Sequence, residues 1–103
     1  MSIGAPQYGG FNAQTLSDHL VLTAGDDAYQ AIDPDGAKNV TLPDLGSSGR
    51  GMLVLDNTAS TTEIITIKDG ANSSAVIGTP TQHQSAVCHY SEGTWVCVVG
   101  AAN

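Results

Sequence analysis

Apolar residues along this chain fall in short runs of four to six, and each run ends at residues that favour turns. Tyr29-Gln30-Ala31-Ile32 leads into Asp33-Pro34-Asp35-Gly36, where Pro34 presets φ for a turn and Gly36 accepts a positive φ. Asn39-Val40-Thr41-Leu42 stops at Pro43, and Met52-Leu53-Val54-Leu55 stops at Asp56-Asn57-Thr58. The pattern predicts strands over 18–23, 28–32, 38–42, 52–56, 63–68, 74–77, 85–90 and 94–99. Strands 52–56 and 63–68 are apolar on both faces or nearly so, which suits central positions. The last two form the clearest hairpin, turning through Ser91-Glu92-Gly93. About eight strands at roughly 8–12-residue intervals imply an all-β fold. The expected architecture is a single small antiparallel β-sandwich or jelly-roll-like barrel. No helical periodicity exceeds a turn or so, although a short helix around Ala13–Asp18 is compatible with the pattern.

Residues 1–16 break the strand pattern. Gly4, Pro6, Gly9 and Gly10 disfavour regular structure there, yet Ile3, Tyr8 and Phe11 are spaced through the stretch. Two readings stand: an extended arm that anchors on a neighbouring subunit through Ile3, Tyr8 and Phe11, or side chains that cover the end of their own domain. The expected organisation is an N-terminal arm over 1–16 and a β domain over 17–103.

At 103 residues with 41% hydrophobic composition, the core is modest, so self-association or docking would add useful burial. Ten acidic residues against three basic ones give a formal charge of −7. That balance argues against nucleic acid and anionic membranes as partners. No run approaches the roughly 18–20 apolar residues of a membrane span, and the N-terminus lacks the basic and apolar regions of a secretory signal.

Catalytic and metal chemistry find little support in the sequence. Asp33-Pro34-Asp35-Gly36 places its glycine fourth, where a calcium loop of the EF-hand type needs it sixth, so the turn reading wins. His19, His83 and His89 have no metal-site spacing and are expected to be exposed or hydrogen-bonded. No serine has a nucleophile-elbow context, and Gly46-Ser47-Ser48-Gly49-Arg50-Gly51 lacks the Lys-Ser/Thr of a phosphate loop. Trp95 reads as a core filler. A four-residue loop from Ser91 to Thr94 sets Cys88 opposite Cys97, whereas a three-residue loop sends them to opposite faces. In a reducing compartment the expectation is two free, buried thiols. No cofactor and no enzymatic activity are expected.

The Leu20-Val21-Leu22-Thr23 strand, Ile32-Asp33-Pro34-Asp35-Gly36-Ala37, Val40-Thr41-Leu42-Pro43, Val54-Leu55-Asp56-Asn57-Thr58, Ile65-Thr66-Ile67-Lys68-Asp69 and Thr94-Trp95-Val96 follow one another in an order that resembles a β module of tailed-bacteriophage virion proteins. The resemblance covers roughly residues 20–99 and is greatest to capsid decoration (cement) proteins. It implies a structural role on the outer capsid surface after synthesis in the host cytoplasm. The implied partners are the major capsid protein and further copies of the chain, a trimer favoured over a dimer. It supplies no catalytic residues. The alternative is a receptor- or glycan-binding module of a tail fibre or spike, using loops such as 43–51 and 79–84.

Overall fold

The computed structural model describes residues 11–100. It contains nine strands: β1 (Phe11–Leu16), β2 (Leu20–Val21), β3 (Tyr29–Pro34), β4 (Lys38–Leu42), β5 (Gly51–Asn57), β6 (Ile65–Asp69), β7 (Ala75–Gly78), β8 (Ser85–Ser91) and β9 (Thr94–Val99). They form a five-stranded sheet A, ordered β1-β3-β5-β8-β9, and a four-stranded sheet B, ordered β2-β4-β6-β7. The all-β expectation holds, and β5 and β6 occupy interior positions of their sheets as their apolar sequences require.

The antiparallel expectation needs correcting, because both sheets are mixed. The chain passes alternately between the sheets from β1 to β6, and each pass lays a new strand parallel to the one before it in that sheet. Only the later strands reverse: β7 pairs antiparallel with β6, β8 with β5, and β9 with β8. The turn at Gly36, with φ +86°, does redirect the chain sharply. It carries the chain across to the other sheet, however, and does not close a hairpin. Ile32 before the turn and Val40 and Leu42 after it thus enter one core from opposite sides, all fully buried.

The N-terminal boundary also differs from expectation. Phe11–Leu16 is neither arm nor helix but a strand, paired with β3 from Phe11↔Tyr29 to Leu16↔Pro34. Its inward side chains are polar at first: Asn12 and Gln14 both donate to the Oε1 of buried Gln30, at 3.0 and 3.1 Å. The segment before Phe11, with Ile3 and Tyr8, lies outside the described residues.

Two buried polar side chains tie the winding together. The Asn57 amide donates to the carbonyls of Glu63 and Pro80 and accepts from the Ala59 N–H, joining the 58–64 and 79–84 connections. The Asp69 carboxylate accepts from Ala71 N–H, Thr94 hydroxyl and Trp95 N–H, linking the end of β6 to the start of β9. Trp95 fills the core as expected, its indole N–H donating to the Pro43 carbonyl at 2.8 Å.

The thiol expectation is overturned: Cys88 and Cys97 form a disulfide with Cα atoms 4.1 Å apart. The reason is the turn. Glu92 and Gly93, both at positive φ, make a two-residue connection, so that Ser91 faces Thr94, Tyr90 faces Trp95 and Cys88 faces Cys97. The Trp95 N–H points away from β8 to Asp69, so Tyr90/Trp95 is a non-hydrogen-bonded pair. Cys88/Cys97, two residues on, is therefore another, the kind in which facing Cα atoms come closest.

Candidate functional site: the outer face of sheet A

Alternation along each strand of sheet A sends one set of side chains into the core and the other outward. Gln30, Ile32, Leu53, Leu55, Ala86, Cys88, Tyr90 and Trp95 are buried. The outward set is unusually apolar. Register places Phe11 beside Tyr29, Tyr29 beside Val54, Val54 beside Val87 and Val87 beside Val98. One continuous row of apolar side chains therefore crosses all five strands. A second, shorter row, Met52-His89-Val96, runs beside it.

Of the eight large apolar side chains left exposed among the described residues, five lie on this face: Phe11, Met52, Val87, Val96 and Val98. Val98 at one end of the row is 70% exposed, and Phe11 at the other is 56% exposed. Sheet B presents the opposite character. Its central outward pairs, Asn39↔Thr66 and Thr41↔Lys68, are polar, and its two exposed valines, Val21 beside Thr41 and Val76 beside Lys68, stand apart on the edge strands with Thr41 and Lys68 between them. Scattered apolar residues on a surface carry no message, but a contiguous apolar face does.

The row is also ordered. The Phe11 and Tyr29 rings are 5.1 Å apart between centroids and tilted at 40°. The Tyr29 hydroxyl reaches diagonally to Asp56, whose other carboxylate oxygen accepts from the Ser85 hydroxyl. The hydrogen bond to Asp56 is the main reason the Tyr29 phenol is held above its usual pKa, with desolvation and the negative charge of Asp56 acting in the same direction. Asp56 thus supplies negative charge beside the apolar row, and Asp33 lies two outward positions beyond Tyr29 on β3.

Of the three expected interface residues, Phe11 lies at the end of this row, while Ile3 and Tyr8 fall outside the described residues. The remaining apolar positions were visible in the sequence as alternating residues, but apart from Val87 and Val98 in the β8–β9 hairpin their alignment depends on long-range register that no local pattern shows. The histidines sit as expected: His83 and His89 are exposed, and exposed His19 accepts the Asn39 N–H at 2.9 Å. Loops 43–51 and 79–84 do not meet. The first leads into β5 at Gly51, and the second bonds through His83 and Gln84 to Asn57 at the far end of that strand.

Among the described residues no group of three or more His, Cys, Asp or Glu side chains is placed to hold a metal ion. No described helix is long and apolar enough to cross a membrane. Comparison with protein-family models, curated proteins and solved structures found no match.

Proposed function

We propose that the protein is a decoration (cement) protein of a tailed-bacteriophage capsid, which docks on the outer surface of the mature shell through the outer face of sheet A. The sequence resemblance supplies the virion setting. The observation that carries the docking role is the apolar row from Phe11 to Val98 across five strands.

The partner's chemistry follows from the face. Its surface is a flat apolar patch with Lys or Arg at the rim, because Asp56 borders the row and the whole chain carries −7. Five strands at about 4.8 Å spacing, each about six residues long, make a footprint of roughly 400 Å². A standard stable interface takes about 800 Å² per partner. One copy therefore holds weakly, and a homo-oligomer, of which a trimer is favoured, multiplies the attachment through effective concentration. A ligand specific for the assembled shell stabilises it by mass action.

The test is the location and copy number of the protein on purified particles. Copies covering the shell are expected; a small number confined to the tail would reject the capsid reading.

A further inference from the structure

Away from the sheet face, the connections 22–28 and 43–51 border an open cleft of about 430 Å³ beside the first residues of β5 and β9. Leu22, Leu45, Leu53 and Trp95 contribute its apolar lining, while Asp26, Asp27 and Arg50 contribute charge of both signs. The size falls within the roughly 300–1,000 Å³ range of small-ligand sites. We propose that this cleft binds an acidic sugar, a hydroxyl-bearing ring with one carboxylate.

Three features point to that class. Arg50 is exposed, and the hydrogen bond its guanidinium makes among the described residues is to the adjacent Gly49 carbonyl, at 2.9 Å. No acidic side chain among the described residues is paired with it, which leaves the planar fork able to take a carboxylate by two parallel hydrogen bonds. Asp26 and Asp27 would repel a compact free anion. They serve instead as acceptors for hydroxyl donors, so the ligand needs both a carboxylate and hydroxyls. The apolar lining suits the C–H face of a sugar ring. Trp95 is only 5% exposed, so it offers an edge and not a stacking platform.

The walls are already organised. Asp26 Oδ2 accepts from the Thr23 backbone N–H at 2.7 Å and its hydroxyl at 3.2 Å, which fixes the first loop. Tyr90 donates to the Gly46 carbonyl at 3.0 Å and contacts Asp44, which fixes the second. Gly51 helps keep the cleft free, since a Cβ there would lie 2.7 Å from Leu45 Cδ1 and 3.6 Å from the Trp95 ring. Binding to such a site pays little for loop ordering.

Trp95, the only tryptophan of the chain, provides the readout. The full-length protein is titrated with methyl galacturonoside, which has one carboxylate, and, separately, with the uncharged methyl galactoside, following indole fluorescence and NMR amide shifts. Saturable binding of the acidic sugar is expected, with affinity lowered about tenfold or more by Arg50→Gln or by loss of the sugar carboxylate. Asp27→Asn is expected to weaken both sugars. No saturable change up to about 10 mM, the weak end of measurable affinity, would overturn the proposal. So would unchanged binding by Arg50→Gln, or equal binding of the two sugars. Arg50→Gln leaves the Phe11-to-Val98 row intact, so its copy number on particles is expected to be unchanged. Failure of the sugar site and failure of capsid docking are thereby distinguishable.

Discussion

Asn57 shows how a single polar side chain holds two connections in place. It is buried, and its amide group satisfies two carbonyls and one N–H from segments that share no strand ladder. Asn57→Ala would strand those partners in a site with little water. Each buried unsatisfied group costs about 1–3 kcal/mol, so a loss of about 3 kcal/mol is expected, a large fraction of a small domain's stability. Urea unfolding checks this, and a loss below about 1 kcal/mol would mean that water replaces the amide. The tyrosines give a pH-dependent counterpart. The bond to Asp56 raises the Tyr29 pKa first of all, and burial raises that of Tyr90, aided by the hydrogen bond to Asp44. A phenol raised above its unfolded value stabilises the fold fully below about pH 10 and loses that contribution as pH rises through the folded value. Stability should therefore fall above about pH 10, and less steeply in Tyr29→Phe. Denaturation midpoints on both sides of that pH measure the difference; identical slopes would show that the Asp56 bond adds no pH dependence.

At the scale of the element, the β8–β9 hairpin combines a two-residue turn, a disulfide and the Tyr90–Trp95 pair, whose rings lie 5.4 Å apart in an edge-on arrangement. The disulfide closes a short loop, with a sequence separation of nine. Chain-entropy reasoning gives about 2.5 kcal/mol for a loop of that length. Reduction should lower the urea midpoint correspondingly while the sheet remains formed, because Cys88 and Cys97 stay packed in the core. Thiol titration of the unreduced protein should give no free thiol; two would reverse the pairing. This hairpin was the most legible element in the sequence. Its turn residues and alternation are local signals, and local signals survive without knowledge of the fold. The disulfide was legible only as one of two loop geometries. β1 was missed because its Gly-rich approach resembles an arm and its inward Asn12 and Gln14 break the apolar alternation; their partner, Gln30, comes from β3.

For the whole molecule, the difference between the two outer faces is the functional signal. Sheet B separates its two exposed valines with polar central pairs, whereas sheet A carries a continuous apolar row bordered by Asp56. Val87→Lys and Val98→Lys each place a charge within the row without touching the core, since both residues are exposed. Such surface changes usually alter stability by about 0.5 kcal/mol or less. The double variant should therefore fold normally and lose shell occupancy about tenfold or more, as expected for a charge buried against an apolar partner surface. Full occupancy by the double variant would rule out this face as the attachment surface.

Sequence alone determined the class of structure: short runs, alternation and turn residues are consequences of local sterics and burial, and they mark strands wherever those strands pair. It also located the Gly36 and Gly93 turns, the central character of β5 and β6, and the burial of Trp95. Only the tertiary structure decided which strands are neighbours. Alternating side chains look the same in parallel and antiparallel ladders, and a sharp turn can close a hairpin or carry the chain across to another sheet. That choice rests on how Ile32, Val40, Leu42 and the rest of the core pack together. The same choice aligned five separate outward residues into one row, and so turned scattered apolar positions into a surface.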